Sequence, residues 1–283
     1  MGNIVWLASY PKSGNTWLRS FLYNLIEQPD KPGQINNLWQ ICQDESKPNW
    51  YEPYAKDKPL SEFTPAEITK LRMQVHRDIA NSQPAGSVFV KTHNMMGAFD
   101  NYPLHNLQIT AGAIYVVRNP LDVVLSAADH FGISVDEAID FMANEQTGAM
   151  TDEANVAGFF GSWSSHVQSW TGTSDDNICV LRYEDMLDNA QKTFAKVMKF
   201  LGMKKDPKAL KRAINFSSFR ELSAQENKEA FIETSPDAVS KKFFRKGQKN
   251  QWLDQLSEEQ VERIIDAHRE QMMRFKYVPK KYQ

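Results

Sequence analysis

Between residues 10 and 17 the chain reads Tyr-Pro-Lys-Ser-Gly-Asn-Thr-Trp, which puts a lysine, a glycine and two hydroxyls into one turn. Lys12 supplies a point charge, Ser13 and Thr16 supply hydroxyl donors, and Gly14 lets backbone approach a ligand closely. If a strand enters this turn and a helix leaves it, backbone N–H groups and the positive end of the helix converge on one point. That set suits a phosphate or a sulfate. It is not the nucleotide P-loop, which places its lysine after the last glycine. Here Lys12 precedes Gly14, and no residue answers to the hydroxyl that would hold Mg²⁺. Taken alone, the turn reads more simply as a strand-to-helix loop with a surface lysine.

The flanking residues supply the strand and the helix. Residues 4–8 form a short apolar run that suits a buried strand, and Trp17, Leu18, Phe21, Leu22, Leu25 and Ile26 recur at helical spacing. Further strands are predicted over 87–92, 113–118 and 177–183. Thr64-Pro65-Ala66-Glu67 and Ser134 to Glu137 are helix-start signatures, as is Ser257 to Gln260 ahead of a last helix reaching about Phe275. Asn119-Pro120 can start another helix. Two more are predicted near 189–201, ended by Gly202, and near 207–215. Strands that alternate with helices imply an α/β fold: a single domain over 1–283, with a mostly parallel central sheet flanked by helices on both faces. Residues 29–63 and 221–250 lack strong periodicity. They are expected to be irregular and to cover substrate or cofactor.

Composition narrows the function. The 283 residues are 41% hydrophobic and 24% charged, as in soluble globular proteins. A net charge of -2 provides no general basic field for nucleic acid or an anionic membrane, so any polyanion site must be local. Cys42 and Cys179 lie far apart and outside any CxxC, which predicts two free thiols in a reducing compartment. No apolar run approaches the roughly 20 residues of a membrane span. The N-terminal residues have no basic start and no cleavable apolar segment, so the expected location is cytoplasmic.

With the turn in view, the stretch from Ser9 to Trp17 resembles the 5′-phosphosulfate loop of the cytosolic-type sulfotransferases, which use 3′-phosphoadenosine 5′-phosphosulfate (PAPS). Further segments match in the family's order. Lys91-Thr-His93 resembles the strand end that carries the catalytic histidine. Tyr115-Val-Val-Arg-Asn-Pro120, with Ser126 eight residues after Arg118, resembles the 3′-phosphate site. Arg182-Tyr-Glu-Asp185 and Ser217-Ser-Phe219 resemble adenine-side segments. Arg245-Lys-Gly247, followed by Trp252, resembles the late 3′-phosphate loop.

The resemblance implies a P-loop-like sulfotransferase fold and a role for each matched residue. His93 would be the general base, Lys12 would stabilise the leaving phosphate, and Lys91 would face the transferring group. Ser13, Gly14, Asn15 and Thr16 would complete the phosphosulfate cradle. Arg118, Ser126, Arg245, Lys246 and Gly247 would hold the 3′-phosphate, although a salt bridge from Arg118 to Asp122 is an alternative. Trp17, Tyr183, Ser217 and Phe219 would bind adenine, with core packing a competitor for Trp17. PAPS would be the donor co-substrate and 3′-phosphoadenosine 5′-phosphate (PAP) the product, with no metal. The acceptor would be a hydroxyl on a small or carrier-linked molecule. Trp39, Trp50, Tyr51, Tyr54, Phe131, Phe159, Phe160 and Trp163 are candidates for its pocket, more of them core than lining. Two other readings remain open at this point: a P-loop kinase using ATP, and a non-catalytic nucleotide-binding protein. The chain departs from the family pattern at Asn15, where threonine is common, and at Asn250, where a second glycine is usual. The C-terminal dimerisation motif of many animal members is also absent, and the sequence leaves oligomeric state open.

Overall fold

A computed structural model of the chain describes residues 3–83, 86–173 and 176–283. Five parallel strands form the central sheet: β1 (Asn3–Ser9), β2 (Cys42–Asp44), β3 (Ser87–Thr92), β4 (Thr110–Val117) and β5 (Ile178–Arg182). Their order is β2-β3-β1-β4-β5. Four of them coincide with the predicted runs. The fifth, β2, lies in a segment expected to be irregular and has only three residues, too few to show a period.

Alternation along the strands sends side chains to two separate cores. Ile4, Trp6 and Ala8 of β1, with Ala113, Tyr115 and Val117 of β4, face one side of the sheet. Helices α2 (Pro65–Asn81), α3 (Pro120–Phe131), α4 (Val135–Ala143), α5 (Trp163–Thr171) and α11 (Glu258–Arg274) cover that side. Leu7, Ile114, Val116, Cys179 and Leu181 face the other. There α1 (Asn15–Ile26), α6 (Tyr183–Asp188), α7 (Ala190–Phe200) and α8 (Pro207–Phe216) pack. Both cysteines are buried and free. The capping signatures at Thr64, Ser134 and Ser257 each form a reciprocal capping box, and Gly202 closes α7 at φ 66°.

The segment expected to be irregular over 221–250 begins as helix instead: α9 (Phe219–Lys228) starts at Ser218, whose hydroxyl accepts from the Glu221 N–H. Beyond α9, side-chain carboxylates hold the chain in place. Glu226 accepts from the backbone N–H of Phe243 at 2.6 Å and of Phe244 at 3.0 Å. Asp129 accepts from the Ser240 N–H at 3.0 Å, and Asp122 from the Asn250 N–H at 2.7 Å. Residues 229–251 therefore have little regular structure but fixed anchors. The short helix α10 (Trp252–Gln255) comes next. Asn250 has φ 61°, the left-handed conformation a glycine would supply at this point and one that asparagine tolerates.

Strand order places the site. From β1 the chain builds β2 and β3 on one side, then crosses to β4 and β5 on the other. The reversal leaves a crevice at the carboxyl ends of β1 and β4, where α/β sheets bind ligands. Registers of Ala8 with Thr92 and of Ser9 with Val116 bring the ends of β3, β1 and β4 level.

Candidate active site

The turn after β1 is built as an anion cradle. Lys12 has φ 65° and Gly14 has φ 108°, so two residues near its apex are left-handed. A Cβ on Gly14 would meet the Tyr183 ring at 2.7 Å, which makes glycine necessary for space as well as conformation. Gly14 is the N-cap of α1 and no side chain caps that end, so the first N–H groups of the helix are left for an anion. The Ser13 hydroxyl is buried beneath the turn without a hydrogen-bond partner. Thr16 accepts from Arg19 Nη2 at 2.9 Å, which leaves its own proton to donate. Asn15 spends its side-chain N–H on the Leu7 carbonyl at 2.8 Å. That bond ties the turn to β1.

These elements open onto a cavity of about 810 Å³. Lys12, Gly14, Asn15, Thr16 and Trp17 line it from β1 and α1, and Lys91 and His93 from the end of β3. Arg118, Ser126 and Tyr183 contribute from behind the turn, and Phe219, Arg245, Lys246 and Gly247 from the late segment. Two predicted residues do not line it. Ser13 lies beneath the turn, and Ser217 is fully buried with its hydroxyl donated to the Ala213 carbonyl at 2.8 Å. Ser217 completes α8 instead of presenting a donor to adenine.

Arg118 joins two parts of the site. Its Nη1 donates to the Lys12 carbonyl at 3.1 Å, its Nη2 to the Gln248 carbonyl at 3.3 Å, and its guanidinium lies 4.4 Å from the Tyr183 ring centre. Its Nε is buried without a partner. The alternative of a salt bridge to Asp122 is overturned, because Asp122 accepts from the N–H groups of Asn250 and Trp252. Gly247, at φ 58°, packs against Phe219 so tightly that a Cβ would reach the ring at 2.1 Å. Trp17 meets Tyr183 edge-on at 5.6 Å, so the predicted adenine aromatics are neighbours.

Electrostatics separate the two lysines. Burial pushes the Lys12 ammonium down to about 7, although Glu233 draws it up. Its Nζ sits 3.9 Å over the Phe243 ring. Lys91, by contrast, is paired with Asp44 at 2.9 Å and lies 3.5 Å from Glu233. Against the cost of burial, these two carboxylates hold its pKa above the ordinary lysine value.

His93 is held in one tautomer. Its Nδ1 lies 2.8 Å from the Ser9 carbonyl, which can only accept, so Nδ1 carries the proton and Nε2 keeps a lone pair. Burial first, and the Lys91 charge second, lower its pKa to about 4, so the ring is neutral near pH 7. Its backbone is fixed as well. His166 Nε2 donates to the His93 carbonyl at 3.1 Å, and Trp170 Nε1 to the Asn94 carbonyl at 3.0 Å.

Several residues at this centre carry no sequence signal. Glu45, 1% exposed, accepts from Thr92, from Asn94 at 2.8 Å and from Arg72 at 3.0 Å, and it also bonds His76. Arg72 in turn donates to the Tyr51 hydroxyl. Glu233 takes a two-point ion pair from Arg19, at 2.8 and 2.7 Å, across 214 positions of sequence. Of the aromatics considered for the acceptor pocket, Phe131 and Phe160 line the cavity, whereas Tyr51 and Trp163 belong to the core and Trp39 is exposed.

The chain is similar to known proteins over most of its length. Residues 3–276 match the sulfotransferase domain family. The chain is 26% identical over 272 residues to rat Sulfotransferase 2A2, covering 95% of this chain and 84% of the relative. It is also 26% identical to the guinea-pig (Cavia porcellus) 3-alpha-hydroxysteroid sulfotransferase, over 93% of this chain and 82% of that protein. Among solved structures, retinol dehydratase in a complex with retinol and PAP superposes with a TM-score of 0.64 at 17% identity, covering 96% of this chain and 82% of that one. Mouse sulfotransferase SULT7A1 complexed with PAP gives 0.60 at 20% identity, over 95% and 84% of the two chains. At these identities the structural likeness is a likeness of fold.

Proposed function

The chain belongs to the sulfotransferase domain family, and from that premise we propose that it moves a sulfuryl group from PAPS to a hydroxyl of a small or carrier-linked acceptor. One observation carries the reading. The Lys12 turn, Arg118 and His93 stand at the ends of three adjacent strands around one cavity, with Arg118 bonded directly to the Lys12 carbonyl. The residues present fit the donor. The uncapped N-terminal end of α1, the Thr16 hydroxyl and the unpartnered Nε of Arg118 are donors suited to an anion.

PAPS would supply an activated sulfur bonded through oxygen to the 5′-phosphate. Lys12, with Thr16 and the first N–H groups of α1, binds that phosphate end. Arg118, Arg245 and the Gly247 backbone hold the second phosphate, and Phe219 packs beside them against the base. His93 Nε2 takes the proton of the acceptor hydroxyl as its oxygen bonds to sulfur. Lys12 stabilises the electron pair left on the 5′-phosphate oxygen when the S–O bond breaks. The acceptor lies on the His93 side, against Phe131 and Phe160.

The test is transfer of radiolabelled sulfate from PAPS, in EDTA, to a panel of steroid alcohols, phenols, long-chain alcohols and amines. Label on an alcohol or phenol is the expected result. In parallel reactions with γ-labelled ATP and Mg²⁺ in place of PAPS and EDTA, transfer of phosphate with no transfer of sulfate would instead make the chain a kinase. PAPS binding with no transfer to any member would favour a non-catalytic nucleotide-binding protein.

A further inference from the structure

Around the transfer end of the cavity the charges pair unevenly. Arg19 is matched by Glu233 in a two-point bond, and Lys91 is matched by Asp44 at 2.9 Å, with Glu233 a further partner at 3.5 Å. Among the described residues, no carboxylate bonds Lys12 or Arg118; Arg118 bonds only carbonyl oxygens. Lys12, Arg118 and Arg245 thus line the cavity without a carboxylate partner among the described residues and remain for the phosphates of the nucleotide, whereas Arg19 and Lys91 are already paired.

Glu233 is well placed to impose that balance. It sits in the anchored segment after α9 and lines the cavity, and Lys12, Lys91 and His93 feel its charge along with Arg19. A stability role alone calls for one partner, whereas this carboxylate stands between two cations at the edge of the cradle. A terminal sulfuryl group carries one negative charge. A terminal phosphoryl group in the same position carries close to two at neutral pH, since its second ionisation falls near 6. A fixed carboxylate opposes the second charge more than the first.

We propose that Glu233, with Asp44, is a specificity-determining residue that lets the transfer subsite accept a singly charged sulfuryl terminus and reject a doubly charged phosphoryl one. This rests on the sulfotransferase reading above and extends it to how the donor's end group is chosen. The device discriminates through an added carboxylate where a kinase would add cations.

The experiment compares three nucleotides by calorimetry at pH 8: PAPS, its phosphate counterpart 3′-phosphoadenosine 5′-diphosphate, and PAP as the control without an end group. The wild type is expected to bind PAPS at least tenfold more tightly than the diphosphate. Glu233→Gln should shrink that ratio at least tenfold by tightening the diphosphate, with PAP changed less than threefold, and Glu233→Asp should restore the ratio. Lowering the pH to 5.5 protonates the terminal phosphoryl group, so in the wild type the ratio should shrink without any substitution. The comparison of two nucleotides cancels the titration of Lys12 and His93, which both ligands share. An unchanged ratio in Glu233→Gln, or equal weakening of all three nucleotides, would reduce Glu233 to a brace for Arg19 and overturn the proposal. If Glu233→Gln fails to fold, an unchanged wild-type ratio at pH 5.5 would overturn it equally. Failure of the wild type to bind PAP would overturn the sulfotransferase reading itself, and this proposal with it.

Discussion

His93 Nδ1 donates to the Ser9 carbonyl at 2.8 Å, so the end of β1 sets the tautomer of a ring carried by the end of β3. Ser9 opens the stretch that forms the phosphate turn, and its carbonyl leaves His93 Nε2 as the free basic nitrogen. The proposed base and the proposed anion cradle are thereby tied through one hydrogen bond. The expected result of His93→Ala is a turnover at least about a hundredfold lower, the ordinary worth of a positioned base. PAP affinity should stay within a few-fold. Single-turnover transfer and calorimetry on the same variant check both halves; a large loss of PAP affinity with turnover retained would assign His93 to binding.

Gly14 has a different sensitivity. Its φ of 108° and the 2.7 Å approach to Tyr183 penalise any side chain there. Gly14→Ala should destabilise the fold by about 1–3 kcal/mol through backbone strain and weaken PAP at least tenfold. Denaturant melts and nucleotide titration measure the two effects. Unchanged PAP affinity would mean that the turn does not grip the nucleotide.

Glu45 supports the strand end from below, bonding Thr92 and Asn94 on either side of His93 while neutralising Arg72. Arg72 and Glu45 are each 1% exposed at the side chain, so removing one strands the other. Glu45→Ala is expected to cost about 3–5 kcal/mol, as for other broken buried pairs. Glu45→Gln, which keeps the shape and loses the charge, should cost less. Equal and small losses for both would show that the pair is not coupled to folding.

Acid should destabilise this protein early. Burial lowers His105 and His166 to about 3 and His268 to about 4, from 6.5. Between 6.5 and these values the unfolded chain takes up protons that the native protein does not. Stability is therefore full above about pH 6.5 and falls as pH drops toward 4, by up to about 1.4 kcal/mol per pH unit for each histidine. Urea melts from pH 7.5 to 5 read this directly. A flat profile across that range would contradict the buried neutral state of these rings.

Much of the site is legible in sequence because its parts are contiguous. The phosphate turn, Lys91 to His93, Arg118 to Pro120 and Arg245 to Gly247 each sit where a strand or a late loop ends, and each is a short run of chemically distinctive residues. The supporting charges are not. Arg19 and Glu233 are 214 positions apart and Glu45 and Arg72 are 27 apart, so no local pattern links them. Strand β2 is invisible for a related reason: three residues cannot show a period, yet they carry Asp44 to Lys91. Ser217 misleads in the opposite direction, since a motif position predicts a ligand contact and the hydroxyl instead closes its own helix. The helical start of the late segment is hidden by its polar composition, which includes the Glu226 that anchors backbone N–H groups.

The most direct measurement compares PAP with AMP by titration against the wild type and Arg118→Ala. With one phosphate at Lys12 and the other at Arg118, PAP should bind the wild type at least about a hundredfold more tightly than AMP, as expected for two charge-assisted bonds of roughly 1.5–3 kcal/mol each. Arg118→Ala should erase most of that advantage and leave AMP unaffected. Equal affinities for PAP and AMP in the wild type would contradict the account.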